Sequence, residues 1–243
     1  MITHRYPDLI IPDRPLDMLV VAPHPDDAEL GMGGTISKLL KRGWKIGILE
    51  LTDGEPTPHG SVECRARETR DANAILGDPW RYNLGMKNRF LEATLENRQR
   101  LAGVIRLTRP RWLFAPYWID AHPDHVAATE LVEAARFWSK LTKSELAGEP
   151  FHPQRVFYYY CIHLKLHPQP SWIMDISLEW ETKARSLQAY RSQFITGREA
   201  LEPPFIEQLR EEAAYWGKLI GVRYGEPFAS KEPIGLQDLA HLI

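Results

Sequence analysis

Short apolar runs alternate with helix-length amphipathic stretches from residue 17 to residue 138, and this alternation limits the fold more than any other feature. The run DMLVVAP (17–23) is continuously apolar after Asp17, as a strand buried on both faces requires. A helix follows to about Arg42, with Ile36, Leu39 and Leu40 on one side. Lys41 and Arg42 suit its C-terminal dipole, and Gly43 suits the left-handed residue that closes it. WKIGILELT (44–52) reads as a second strand and SVECRARETRDANAIL (61–76) as a helix capped by Ser61 and ended by Gly77. WRYNL (80–84) reads as a third strand, followed by a helix over 95–108 that stops before Pro110. RWLFAPYW (111–118) is a fourth strand and HVAATELVEAARFW (125–138) a helix. Strands separated by helices of this length imply βαβ units and a mostly parallel, doubly wound α/β sheet.

The later part is less regular. RVFYYYCI (155–162) and WIMDIS (172–177) read as strands, Ser177 as the cap of a helix over 178–190, and 204–220 as a last helix. The tail from Gly221 is punctuated by Gly and Pro and is expected to wrap the surface. The polar stretch 139–154 reads as an excursion rather than a linker. The expectation is therefore one domain over 1–243, with a core at about 17–140 and a smaller C-terminal α/β part at about 150–243.

Composition narrows the function. The net charge is −2 with both signs interspersed, which asks for neither nucleic acid nor an anionic membrane. No run approaches a membrane span, and the start MITHRYPDLIIPDRPLD lacks a basic region leading into an apolar one, so a cytoplasmic protein is expected. Cys64 and Cys161 are the only cysteines and do not suggest a disulfide framework.

Two loops carry the chemistry. HPDD (24–27) follows the first strand directly and HPDH (122–125) lies just after the fourth. In a doubly wound sheet of order 3-2-1-4-5, strands one and four are neighbours whose chains leave in opposite directions. A crevice then opens at their C-terminal ends. It would gather His24, Asp26, Asp27, His122, Asp124 and His125. Imidazoles and carboxylates together suit a borderline cation such as zinc. Two ligands from one loop and one from the other leave a position open for water. A remaining carboxylate can take a proton, and a remaining His can stabilise developing charge. Either loop alone also reads as a turn with Asp capping a helix. The GMGG at 31–34 comes too late after the strand for a dinucleotide fingerprint, and its glycines suit close helix–sheet packing.

The sequence resembles the LmbE-like, or PIG-L, metal-dependent de-N-acetylases. APHPDDAELGMGGT and HPDH carry the likeness, and LTDGE, GSVECRARE, FAPYWIDAHPDHVAA, AYRSQF and GVRYGEPF extend it over most of 17–235. Within that family it looks most like the bacillithiol-type deacetylases, which act on N-acetylglucosamine derivatives. The resemblance implies a Rossmann-like domain and one divalent metal, Zn2+ or Fe2+, held by His24, Asp27 and His125. It implies Asp26 as general base, His122 as the group that stabilises the oxyanion or protonates the leaving amine, and Asp124 as the carboxylate that orients His122. It implies Arg65 as a pocket residue, although the helix pattern alone would make it an exposed cation; Asn88 and Arg89 could line the rim. It also implies a homo-oligomer, often a hexamer, and a small amino-sugar substrate. Two positions depart from the family pattern: Asp120 where mycothiol-type enzymes place Tyr, and Ala121 where bacillithiol-type enzymes often place a basic residue. The latter weighs against a malate-bearing substrate.

Two rival readings differ in class. A phosphoesterase would need a second metal and more carboxylates, for which Asp53 is the only spare. A non-catalytic ligand-binding domain would have no use for two His-Asp loops.

Overall fold

The computed structural model describes residues 6–163 and 168–236. Strand β1 (Met18–Ala22) lies between β2 (Ile46–Thr52) and β4 (Trp112–Pro116), parallel to both, with Met18 opposite Ile46 and Trp112. With β3 (Trp80–Met86), β5 (Arg155–Tyr159), β6 (Trp172–Asp175) and β7 (Gly225–Ala229), these strands make a seven-stranded sheet of order β3-β2-β1-β4-β5-β7-β6. The first five strands are mutually parallel; β7 runs antiparallel to β5 and β6.

Successive residues along each strand serve opposite faces. Leu19, Val21, Leu49, Leu51 and Leu113 pack with α3 (Leu95–Thr108) and α4 (Pro123–Ser139) through Val104, Ile105, Leu131 and Val132. Met18, Val20, Ile46, Ile48 and Phe114 pack with α1 (Asp27–Lys41) through Ala28, Met32, Ile36 and Leu39. Both faces are covered, which is why these strands read as unbroken apolar runs. Outside α1, a further layer is built from α2 (Val62–Leu76), α5 (Trp180–Ala189), α6 (Arg191–Phe194) and α7 (Phe205–Leu219), centred on Trp180, Leu187 and Tyr190. The chain leaves β1 into α1 on one face and β4 into α4 on the other, so the crevice expected from the sequence is present.

Helix α1 is broken. Met32 has φ −152° and ψ 25°, which is not helical. The break is spanned by a buried ion pair. The Glu226 carboxylate, from β7, accepts from the backbone N–H of Gly34 (2.9 Å) and Thr35 (2.7 Å) and from the Thr35 hydroxyl (2.6 Å). Lys183 Nζ donates to Glu226 Oε1 (2.7 Å) and to the carbonyl of Leu30 (2.7 Å). Anion at a helix start and cation at a helix end are the favourable signs. The glycines around the break are required by contact. A Cβ on Gly31 would lie 2.2 Å from the Tyr159 ring, and one on Gly34 would lie 2.8 Å from Ile176.

Three local expectations are corrected. The helix after HPDH begins at Pro123, not His125, with His122 at its N-cap. Ser177 does not cap α5, whose N-cap is Glu179 without a capping side chain. Its hydroxyl instead donates to Asp175 Oδ1 (2.6 Å) and accepts from the N–H of Tyr224 (3.2 Å), tying the end of β6 to the entry of β7. The tail does not only wrap the surface: Gly225–Ala229 is a wholly buried strand inserted between β5 and β6. Pro227 stands opposite Ile173 of β6, and it lies beyond the two positions, Phe228 and Ala229, at which β7 pairs with β5. Among the described residues, no helix is long and apolar enough to cross a membrane.

Candidate active site

Asp26 holds φ at 117°, a left-handed conformation that a residue with a Cβ adopts at a cost. The strained turn prevents Asp26 from capping α1 and gives its carboxylate to Arg65, whose guanidinium donates to Asp26 Oδ2 (2.8 Å) and to the Pro25 carbonyl (2.5 Å). Arg65 is only 3 % exposed and lines the cleft, so it is not a solvated helix cation. Burial pushes the Asp26 carboxyl up to about 7 despite the opposing Arg65 charge.

Its neighbour Asp27 faces the other way, between two imidazoles. Asp27 Oδ2 is 3.0 Å from His24 Nδ1, and Asp27 Oδ1 is 3.4 Å from His125 Nε2. Burial alone would raise its carboxyl, but His125 and His24 outweigh it and hold it well below the usual range. Burial opposes protonation of His24 too, yet hydrogen bonds to Asp124 and Asp27 lift it to about 9. The field here therefore favours positive charge. Ligand atoms of His24, Asp27 and His125 lie within 4.8 Å of one another, and this donor set fits a divalent cation of the zinc class. Two other groups, His24–His122–Asp124 and Asp120–His125–Cys161, share His24 or His125 with it. They describe the margins of one centre. Asp53 accepts from the N–H of Glu55 (3.0 Å) within its own turn and belongs to none of these groups.

His122 stacks on His125 with ring centroids 4.7 Å apart. Burial and the neighbouring His125 and His24 push its pKa down to about 4, so the ring is neutral. Its Nδ1 accepts from the backbone N–H of Asp124 (3.2 Å). A neutral imidazole that accepts at Nδ1 carries its proton on Nε2. His122 is thus a hydrogen-bond donor on the cleft wall.

Asp124 differs from expectation. Its carboxylate lies on His24 Nε2 (3.2 Å) and accepts from the backbone N–H of Arg89 (2.8 Å), and it meets His122 only through its main chain. The reason is that α4 starts at Pro123, which turns Asp124 toward β1 as part of the first helical turn.

His24, Asp26, Asp27, Arg65, His122 and His125 line an open cleft of about 190 Å³, and Asp124 is not part of its wall. Asn88 and Arg89 are on its wall, as the sequence suggested. Asn88 is buried with its side-chain oxygen unpaired in the protein, while the Arg89 guanidinium donates to the Pro56 carbonyl (2.7 Å). His163, Thr57, Gln193, Phe194 and Arg198 also line the cleft and were not singled out from the sequence. His163 stands just beyond β5, the strand next to β4, with its ring 5.6 Å from that of His122. The rule that drew attention to the ends of β1 and β4 applies there too. Gln193 and Phe194 lie in AYRSQF, which carried family likeness without an assigned role. Cys64 and Cys161 are both free, and Cys161 is buried beside His125.

Residues 19–136 match the PIG-L family, described as GlcNAc-PI de-N-acetylase. A diacetylchitobiose deacetylase of Thermococcus kodakarensis is 34 % identical over 86 % of this chain and 80 % of its own length. A conserved protein of Thermus thermophilus has a solved structure with TM-score 0.83 and 41 % identity, covering 91 % of this chain and 97 % of its own. The N,N'-diacetylchitobiose deacetylase of Pyrococcus horikoshii, solved with an inhibitor, matches with TM-score 0.75 and 30 % identity over 87 % of this chain and 82 % of its own. Sequence and fold agree over four fifths or more of each of these relatives, and the chain belongs to the PIG-L de-N-acetylase family.

Proposed function

We propose that this protein hydrolyses the acetamide of an N-acetylglucosamine derivative, releasing acetate and the free amine. The observation that carries the reading is the sharing of one cleft by a cation-fitting set, a buried carboxylate and a neutral imidazole donor. His24, Asp27 and His125 would hold Zn2+, with Fe2+ the alternative; such a cation supplies polarisation of the acetyl carbonyl and a water of lowered pKa.

The chain's own residues do the rest. Asp26 accepts a proton from water as its oxygen bonds to the acetyl carbon. Arg65 holds that carboxylate in place through its 2.8 Å bond. His122 donates its Nε2–H to the oxygen that gains negative charge. The C–N bond then breaks, and the proton held on Asp26 goes to the nitrogen, which leaves as an amine. Asn88 offers its unpaired oxygen to an N–H or O–H of the sugar.

Relatives named for diacetylchitobiose favour a GlcNAc disaccharide as the first substrate to test. A bacillithiol-type GlcNAc conjugate is the second, with Arg65 and Arg89 as its charge partners. A homo-oligomer in the cytoplasm completes the reading. Acetate release from N,N'-diacetylchitobiose, GlcNAc and malate-bearing GlcNAc tests it. Turnover of any of these by metal-loaded protein is expected; inertness toward all three, with cation bound, would refute the proposal.

A further inference from the structure

We propose that Asp120 is the positioning residue for His125, fixing the proton of its imidazole on Nδ1 so that the lone pair of Nε2 is presented toward Asp27. The inference rests on the reading of His24, Asp27 and His125 as cation ligands. Asp120 Oδ2 lies 3.2 Å from His125 Nδ1, and both side chains are 1 % exposed. Both atoms are buried and neither is otherwise engaged in a well-formed hydrogen bond, so the 3.2 Å approach between them is the closest polar contact of this pair. Burial of unpaired polar atoms is costly, and each of these two atoms lies within reach of the other.

The chemistry sets the direction. A neutral imidazole has one N–H and one lone pair, and a carboxylate can only accept. Asp120 at Nδ1 therefore fixes the tautomer, leaving Nε2, 3.4 Å from Asp27 Oδ1, as the donor atom. Carboxylates placed behind a ligand His in this way raise its basicity and hold the ring plane. The other Asp120 oxygen accepts from the backbone N–H of His122 at 2.7 Å. One carboxylate thus folds the HPDH loop and aims the His at its far end.

Ligand atoms of Asp120, His125 and Cys161 also lie within 4.8 Å of one another, a set that on its own would suggest a second cation site. His125 cannot give both nitrogens to cations while remaining neutral, so the structure assigns one centre with Asp120 behind it.

The test uses wild type, Asp120→Asn, Asp120→Ala and His125→Ala, each stripped and titrated with Zn2+ against a chromogenic chelator. Wild type is expected to bind one equivalent and both Asp120 variants to bind about 10- to 100-fold more weakly. In Asp120→Asn one of the two oxygen positions becomes an NH2 donor, so the N–H of His122 and the Nδ1–H of His125 no longer each face an acceptor. This near-isosteric change carries the test if Asp120→Ala does not fold. Imidazole 15N shifts of zinc-loaded wild type should place the His125 proton on Nδ1, a signature that loop folding alone would not produce. Affinity within twofold of wild type in Asp120→Asn, a proton on Nε2, or two bound equivalents would each overturn Asp120's role. Wild type that binds no Zn2+ would remove the cation reading as well, which separates the two failures.

Discussion

Asp124 Oδ2 lies 3.2 Å from Nε2 of His24, a residue one hundred positions earlier in the chain. This contact joins the two His-Asp loops and uses the nitrogen of His24 that faces away from Asp27. On the proposed reading, Asp124 would therefore act on the cation through His24 rather than on the substrate through His122. Asp124→Asn should lower Zn2+ affinity by roughly 10- to 100-fold. Competition titration checks this; unchanged affinity with a fall in kcat alone would return Asp124 to His122.

Metal removal should abolish turnover and restoration of Zn2+ should recover it, with thermal stability following occupancy because only the folded chain assembles His24, Asp27 and His125. His125→Ala should lose bound metal and activity together. Elemental analysis showing full occupancy in active His125→Ala would refute the ligand set.

The adjacent aspartates should separate cleanly. Asp26→Asn is expected to keep metal while kcat falls by about 10²–10⁴, the usual worth of a general base. Asp27→Asn should lose metal. Equal metal loss in the two variants would contradict the opposite facing of their carboxylates.

His122→Ala should retain metal and substrate affinity and lose about 10²–10³ in kcat, the scale for one oxyanion donor. Steady-state kinetics with metal analysis decides it. A rise in KM with kcat preserved would make His122 a binding residue only.

Away from the cleft, Glu226→Ala should destabilise the fold by about 3–5 kcal/mol, because Lys183 keeps its bond to the Leu30 carbonyl but is left buried without a counter-charge. Replacing both partners, Glu226→Gln with Lys183→Met, should cost less than the single change. Urea unfolding measures both, and equal losses would show that the pair is not coupled.

Much of this site was readable because the strands that carry it are buried on both faces. Val20 and Phe114 give unbroken apolar runs, and the first polar residues after them are those of the crevice. Strand β7 escaped because Gly225 and Pro227 mimic a loop, and its pairing depends on β5 and β6, roughly fifty to seventy residues earlier. Asp120 looked like a departure from family pattern because its partner is a nitrogen five positions on, revealed only when α4 turns His125 back toward it. The carboxylate of Asp124 was legible as a site group, but not its partner, since one helical residue more or less decides which His it meets.

Helix α1 reverses the charge preference that its position in the fold would confer. The first helix of a doubly wound sheet ordinarily offers its leading N–H groups to a phosphate. In this chain it is the half of α1 beyond the break whose first N–H groups, those of Gly34 and Thr35, are taken by Glu226, so the protein supplies the anion there itself. The stretch before the break is freed to display acid rather than amide, with Asp26 and Asp27 at its head. A seat built for anions elsewhere is lined here with the carboxylates proposed to gather a cation.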